Sequence, residues 1–583
     1  MAHSVAELIV ATLKASGVGR VYGVPGDSLN GLTDAMRRDG AISWQLVRHE
    51  EAAGFAAAAE AALTGELAVC AGSCGPGNLH LINGLFDANR SRVPVLAIAA
   101  QIPQDQIGSG YFQETHPQDL FRECTVYREL VSHPGQLPQV LHIAMRTALA
   151  RRGVALIVVP GEVLFDDVPA EARPAAVRVA MPVVRPDDSS LDAAAAVLNA
   201  ANRVTILAGA GCAGAHGQLL QIAQALQAPV VHAFRGKEFV EYDNAFDVGM
   251  TGLIGFSSGY RAMEHCDVLL MLGTDFPYRP FYPEHALVVQ VDVRGEQIGR
   301  RVPVDVALVG TVRDTVDALL PRIDAKADAT HLERMLSHYR RVRRRLDHLA
   351  EDHAEDSPLH PQFVAATIDR LAADDAIFTV DVGTPCIWAA RYLQMNGQRR
   401  LVGSFNHGSM ANALPQAIGA QASHPGRQVV TLSGDGGLAM LLGELITLRQ
   451  HDLPVKVVVF NNGALSFVEL EMKAAGIVTY GTELDNPDFA ALAAAAGLFG
   501  ARVDKAGDLE EALRAAFAHD GPALVDVHTD RHELSLPPKL ALGQIKGFSL
   551  YATRTILSGR GAELVELART NLREVEIEGP AAL

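Results

Sequence analysis

Short apolar runs alternate with stretches of helical periodicity along most of the chain. Near the N-terminus the runs lie at residues 21–24, 43–47, 67–71, 95–99 and 155–159. Between them are patterns with a helical period, including the alanine-rich stretch 51–63. Brief apolar runs separated by helices predict a parallel sheet covered on both faces. A second stretch repeats the plan: a helix to Ala201, a run at 204–208, a glycine turn, a further helix, then runs at 268–272 and 286–291. A third carries runs at 377–380, 429–432, 455–460 and 523–527, and resembles the first in plan. The predicted fold class is α/β: three doubly wound parallel-sheet domains at 1–182, 183–334 and 335–530, and a helical tail at 531–583 without strand signals.

The joints read differently from the domains. Residues 181–190 are polar and proline-bearing, a linker pattern. Residues 322–356 are rich in charge and include Arg340, Arg341, Arg343, Arg344 and Arg345. Such a cluster could bind phosphate, but the interspersed Glu and Asp favour a solvated connecting helix.

Composition narrows the class. A chain of 583 residues is too long for one core. A formal net charge of −17 argues against general nucleic-acid binding. Six cysteines show no disulfide or zinc spacing, and Cys70 and Cys74 read as packing and loop residues. No stretch approaches the length of an apolar membrane span. Residues 1–17 carry Glu7 and read as an amphipathic helix, not a signal peptide. A reducing cytoplasm fits this usage.

The chemistry gathers at strand ends. The run at 429–432 leads into Gly434, Asp435 and Gly436, and the next run ends in Asn461 and Asn462. A carboxylate and a carboxamide thus stand at the ends of two strands. Hard cations such as Mg²⁺ take oxygen ligands and phosphates, and glycine lets backbone approach a diphosphate closely. The pattern points to a divalent ion bridging the protein to a diphosphate cofactor. Glu50 follows Arg48 and His49 at a strand-to-helix switch, where open α/β sheets meet ligands. It could also simply complement the helix dipole, and Glu51 competes for the same role. Residues 403–410 are small or polar and precede a helix expected to contain 411–420. In the middle stretch, residues 209–214 form a GxGxxG pattern between strand and helix, a dinucleotide signal that can also be a tight turn. The segments 249–255 and 273–282 are rich in small or aromatic residues beside strand ends, and Asp292 closes a strand where it could face a ribose or adenine.

The GDG-x24-NN spacing resembles the thiamine-diphosphate signature of the pyruvate oxidase and acetolactate synthase superfamily. Longer stretches, among them GVPGDSLNGL, RHEEAAGFAAAAEA, GSGYFQETHPQDLFREC, GSFNHGSMANALPQAIGAQA and GFSLYATRTILSGRG, resemble the bacterial quinone-linked pyruvate dehydrogenases over nearly the whole chain. The resemblance implies thiamine diphosphate, Mg²⁺ and FAD as cofactors, and names the domains pyrimidine-binding, FAD-binding and diphosphate-binding. It implies that Glu50 hydrogen-bonds the aminopyrimidine and so activates the thiazolium C2. Asp435, the Asn462 side chain and the Ala464 carbonyl would bind Mg²⁺. Gly408, Ser409, Gly436 and Gly437 would line the thiamine cofactor, with Met410 propping its rings into a bent shape. Phe467 would stand at the active site, with Phe112 and Gln113 near substrate. Thr251, Gly252, Leu253, Ile254, Thr274, Asp275, Phe276, Pro277, Tyr278 and Asp292 would contact FAD.

The implied reaction is oxidative decarboxylation of pyruvate to acetate and CO₂ through a thiamine-bound enamine, with electrons passed by FAD to a membrane quinone. Alternatives are an acetolactate synthase-type carboligase with structural FAD, and an oxidase using O₂. A catalytically inactive scaffold is a further class, disfavoured by retention of Glu50, Asp435 and Asn462. The resemblance also implies active sites shared between subunits of a homo-oligomer, a tetramer built from dimers, at the inner face of the cell membrane. Residues 563–575 place Leu564, Ala568, Leu572 and Val575 opposite Glu566, Arg569 and Arg573, an amphipathic helix. The resemblance implies that such a tail docks on a phospholipid surface, weakly, since its charged face is mixed and Glu574, Glu576 and Glu578 follow; packing against the protein's own surface is the alternative.

Overall fold

The computed structural model of the protein describes residues 4–352, 355–533 and 550–555, with single positions at 557, 564, 565 and 567. The first helix, Val5–Ala15, begins with reciprocal bonds between Ser4 and Glu7, a capping box.

Three six-stranded sheets follow, each with every neighbouring pair parallel. Across the first sheet the strands run Ser43–Leu46, Arg20–Gly23, Ala68–Gly72, Val95–Gln101, Val154–Pro160 and Tyr127–Leu130. Across the third they run Arg400–Gly403, Ile377–Val380, Val429–Gly434, Lys456–Asn461, Ala523–His528 and Phe499–Val503. Both have the chain order 2-1-3-4-6-5, so the likeness in plan extends to topology. The middle sheet runs Asp247–Met250, Val230–His232, Val204–Ala208, Val268–Leu272, Leu287–Asp292 and Val306–Val309, the order 3-2-1-4-5-6. Where the order reverses beside the first strand, the loops leaving two neighbouring strands diverge and open a crevice at their carboxyl ends.

The sequence pattern misses Tyr127–Leu130, Asp247–Met250, Val306–Val309, Arg400–Gly403 and Phe499–Val503, which are all sheet edges. An edge strand has one bonded neighbour and need not be apolar on both faces, so its pattern is weak. Val230–His232 is inside its sheet but only three residues long. Two boundaries also differ. Helix Asp188–Ala200 begins inside the expected linker, because the Asp187 side chain caps it by accepting from the Ser190 amide. The helix expected from 411 begins at Ala413, since Ala411 adopts φ +62°. The charge-rich joint forms helix Thr330–Leu349. It is not wholly solvated: Tyr339 packs on Phe256 and Arg343 donates to the Arg391 carbonyl.

Helix Glu50–Thr64 is buried almost all round. A helix with no polar face needs cover on every side. Helix Pro76–Ser91 covers one side and helix Ala413–Ser423 another, which joins the first and third sheets in one core. Small residues permit this approach. A Cβ on Gly84 would stand 2.7 Å from the Phe55 nitrogen, and one on Gly419 only 2.0 Å from the Ala56 oxygen.

Candidate active site

Glu50 is the first residue of its helix and is 7% exposed. Its Oε2 lies 2.9 Å from Nδ1 of His80, on helix Pro76–Ser91. The His80 ring stacks on His49 at 4.3 Å between centroids. The other carboxylate oxygen lies beside Gly77, where a Cβ would stand 3.1 Å from Oε1. Glu51 points elsewhere: its Oε1 accepts from Asn83, which also donates to Ser409 Oγ across the domain boundary. The two adjacent carboxylates are thus separated in use: Glu50 takes His80, while Glu51 takes Asn83 and stands 3.9 Å from His49 Nδ1.

Gln113 adopts φ +63° and accepts from the Cys74 thiol at 3.3 Å. Its backbone lies against Gly75, which precedes the helix bearing Gly77 and His80. Phe112, beside it, is 77% exposed. The Glu114 carboxylate gathers the amides of Gly108, Gly110 and Tyr111 and so shapes this loop.

The second cluster forms at the third sheet. Register pairs Gly434 with Phe460, so Asp435 and Asn461 leave neighbouring strands side by side. Asn461 is spent inside the fold: it donates to Asp526 and accepts from Asn486. Asn462 turns the other way, and its Oδ1 accepts from the Ala464 amide. Asp435 is 3% exposed and accepts from Gly436, Gly463 and Asn486, each at 2.8 Å. Burial pushes its carboxyl up, and the donated bonds oppose that shift. A carboxylate, a carboxamide oxygen and the Ala464 carbonyl make an all-oxygen donor set, which suits a hard divalent cation. A Cβ on Gly436 would stand 3.4 Å from Met410 Cε, so Met410 lies over this loop. Gly408 holds φ +83°, its amide bonds the Ser404 carbonyl, and Ser409 donates to Ser404 Oγ. Gly437 lies against Asp381, whose burial raises its carboxyl to about 7. Phe467 is half-buried near the start of helix Ser466–Ala474 and packs on the third-sheet core.

The third cluster spans the carboxyl edge of the middle sheet, from the outer strand Asp247–Met250 across the order reversal to Leu287–Asp292. Thr251, Thr274 and Asp292 are buried in loops or at strand ends on its carboxyl edge, with Gly252, Leu253, Ile254, Asp275, Phe276, Pro277 and Tyr278 beside them. Thr251 Oγ1 is buried without a hydrogen-bond partner. Burial raises Asp292 to about 6, opposed by the nearby Arg92 of the first domain. Asp275 pairs with Arg301 at 2.8 Å. The GxGxxG segment does not open a helix, since a short turn intervenes and helix His216–Leu226 starts later. Its first two glycines serve packing: a Cβ on Gly209 or Gly211 would stand 2.6 Å from the backbone of Gly273.

Three residues escaped the sequence reading. His80, Asn486 and Asp381 are each defined by a partner distant along the chain, and no spacing rule marks them. In the tail, the described helical residues include 550–555. Tyr551 is buried, with Lys473 over its ring at 6.0 Å, and Arg554 donates to the Gly476 carbonyl. Of the expected amphipathic helix, only Leu564 among the named apolar positions is described. Ala568, Leu572, Val575 and the charged positions Glu566, Arg569, Arg573, Glu574, Glu576 and Glu578 lie outside the described residues.

Comparison with known proteins agrees with this geometry. Residues 3–120, 191–319 and 381–527 match the thiamine pyrophosphate enzyme N-terminal TPP-binding, central and C-terminal TPP-binding domains, respectively. A putative thiamine pyrophosphate-containing protein of Bacillus subtilis, YdaP, is 36% identical over 98% of this chain and 99% of its own length. Pyruvate oxidase of Lactiplantibacillus plantarum is 30% identical over 89% of this chain and 87% of its own. A probable acetolactate synthase large subunit of Methanocaldococcus jannaschii is also 30% identical, over 91% of this chain and 92% of its own. With three family domains in order and strand-end clusters in each, the chain belongs to the thiamine-pyrophosphate-dependent pyruvate oxidase and acetolactate synthase superfamily.

Proposed function

We propose that this enzyme oxidises pyruvate and water to acetate and CO₂, releasing two protons and passing two electrons through FAD to a membrane quinone. One observation carries the reading. The loops at the carboxyl edge of the middle sheet reach the third domain, where the Ile254 carbonyl accepts from Arg391 at 3.2 Å and Tyr278 lies near Glu471. Glu471 is on the helix that carries Phe467. A flavin held by those loops would neighbour the thiamine site, as electron transfer requires.

The residues fit the groups. Asp435, Asn462 and the Ala464 carbonyl would hold Mg²⁺ and through it the diphosphate. The unpartnered Thr251 hydroxyl and the buried Asp292 carboxyl suit the ribityl or ribose hydroxyls of FAD. When bound, thiamine diphosphate supplies an electron sink for the decarboxylation, Mg²⁺ neutralises diphosphate charge, and FAD accepts the electron pair.

The protein's own work is positional and protonic. Glu50 would share a proton with a ring nitrogen of bound aminopyrimidine, and His80, 2.9 Å from Oε2, holds the carboxylate for that role. Met410 fills the space over Gly436 and limits how the cofactor lies. Gln113, on its loop against Gly75, is available to bond the pyruvate carboxylate, and Phe112 and Phe467 exclude water. Among the described residues, the hydrogen-bond partners of Glu50 and of Asp435 share no residue. That separation supports sites completed by two subunits, in dimers that pair as tetramers.

The test is an anaerobic mix of holoenzyme with pyruvate, followed at the flavin absorbance. Bleaching that needs thiamine diphosphate and Mg²⁺, then recovery on adding a soluble quinone, is the expected result. Bulk acetolactate with an oxidised flavin would replace this reading with the carboligase. Fast recovery by O₂ alone would make the enzyme an oxidase.

A further inference from the structure

Glu50 is presented by a segment that the third domain grips. The residue that does most of the gripping is Glu444, 1% exposed, at the start of helix Glu444–Gln450. Its Oε1 accepts from both the Arg48 and His49 amides at 3.0 Å. Its Oε2 accepts from Thr447 at 2.6 Å. The same helix adds two further holds: Gln450 Oε1 accepts from the Arg48 guanidinium, and His451 Nε2 lies 2.9 Å from the Leu46 carbonyl oxygen. Leu46, Arg48 and His49, on the approach to Glu50, are therefore held by residues about four hundred positions away in sequence.

These amides need such a partner. They lie between the end of strand Ser43–Leu46 and the first turn of helix Glu50–Thr64, where neither a sheet nor a helix ladder satisfies a backbone N–H. A buried carboxylate taking both amides on one oxygen sets their direction as well as satisfying them. It holds His49 extended, at φ −147° and ψ 136°, and so sets where the helix begins and where Glu50 points.

We propose that Glu444 is the positioning residue for Glu50. It holds the Arg48 and His49 amides so that the Glu50 carboxylate meets the cofactor ring at bonding distance. This rests on the reading of Glu50 as the proton-sharing carboxylate. Helix Asp435–Met440, which begins with the proposed metal ligand, stands only a few residues before Glu444. The one segment thus carries a cation ligand at its start and the grip on Glu50 farther along.

The test uses full-length Glu444→Ala, Glu444→Gln and Glu50→Gln proteins with three readouts. The first is backbone hydrogen exchange of peptides spanning 46–50 in the cofactor-free protein. Wild type and Glu444→Gln, which keeps an acceptor oxygen, should protect the Arg48 and His49 amides, and Glu444→Ala should lose that protection. The second is deuterium exchange at thiamine C2 in the loaded protein. Glu444→Ala should lose about 10²-fold, the scale of an ångström-sized misplacement, and Glu444→Gln should stay within about threefold of wild type. The third is thiamine diphosphate affinity, which should change little in the two Glu444 variants. A general structural role would lower affinity and exchange together and would not be rescued by Gln. If Glu50→Gln slows C2 exchange while Glu444→Ala leaves it and the amide protection intact, the positioning role is wrong. If Glu50→Gln itself exchanges at the wild-type rate, the reading of Glu50 fails instead, and amide protection alone reports the clamp.

Discussion

At the scale of single residues, the molecule keeps several carboxyl groups in places where ionisation is costly. Asp247 is the clearest. It is buried at the start of an edge strand, beside His232, Lys237, Glu241 and Tyr339. Burial, then the Glu241 charge, raises its carboxyl from 3.8 to about 7, against the Gly249 amide, Lys237 and Tyr339. His232 does not compensate by protonating, because burial lowers it to about 3. Between those two carboxyl values the folded protein keeps a proton that the unfolded chain releases. Stability from this group is therefore full below pH 3.8 and is lost as pH rises through about 7. Asp247→Asn removes the ionisation and leaves a side-chain oxygen for the Gly249 amide. We expect the variant to melt above wild type at pH 8, with the difference shrinking toward pH 5. The gain is on the order of 4 kcal/mol at most, by the conversion of pKa shift to free energy. Equal melting curves at pH 8 would mean that Asp247 ionises without cost and that Lys237 neutralises it fully.

At the scale of elements, the decisive feature is the crossing of helix Glu50–Thr64 with helix Ala413–Ser423. The first presents Glu50 and the second follows the loop bearing Gly408, Ser409 and Met410. Their closeness depends on the absence of one methyl group, since a Cβ on Gly419 would fall 2.0 Å from the Ala56 oxygen. The Ala56 backbone cannot yield without moving its helix. Gly419→Ala should therefore force the two helices apart and lower stability by about 1–3 kcal/mol, the usual cost of overpacking a core. Thermal unfolding measures this directly, and an unchanged midpoint would show that the crossing has slack. The same substitution at Gly217, where a Cβ would meet nothing within 4 Å, is the control.

At the scale of the whole molecule, the tail is the segment for which a membrane role is expected. Among the described residues no helix is long and apolar enough to cross a membrane. We expect the segment beyond Ser558 to bind lipid reversibly when the flavin is reduced. Its apolar positions Leu564, Leu572 and Val575 would each contribute about 1.5–3 kcal/mol on burial, enough for peripheral docking but not for permanent insertion. Nearer the domain, Tyr551 and Arg554 bind the tail to Lys473, at the end of the helix that carries Phe467, and to Gly476 in the turn after it. Release of the tail would thus be felt near the site. Co-sedimentation with anionic vesicles, with and without pyruvate, compares the full chain with one ending at Ser558. Pyruvate should raise binding of the full chain only, and quinone reduction should fall in the shorter one. Equal sedimentation of both in both states would remove the membrane from the account.

The sequence by itself determined the class of fold, and it singled out Asp435 and Asn462 as strand-end candidates. Inner parallel strands must be apolar on both faces, so Val204–Ala208, Val268–Leu272 and Ile377–Val380 stand out without any partner in view. Asp435 and Asn462 were legible because adjacent parallel strands place their carboxyl ends together, and a fixed spacing records that arrangement. Edge strands left little trace, because one-sided bonding relaxes the pattern. Tertiary structure alone decided what each of two neighbouring carboxylates faces. Glu50 and Glu51 differ only in what faces them, His80 for one and Asn83 for the other. It also decided that Gly209 and Gly211 serve a contact with Gly273, and that Glu444 holds the approach to Glu50. Such pairings join residues tens to hundreds of positions apart. The physical cause is the folded geometry, where a buried amide or carboxylate takes whatever partner the packing brings within bonding distance.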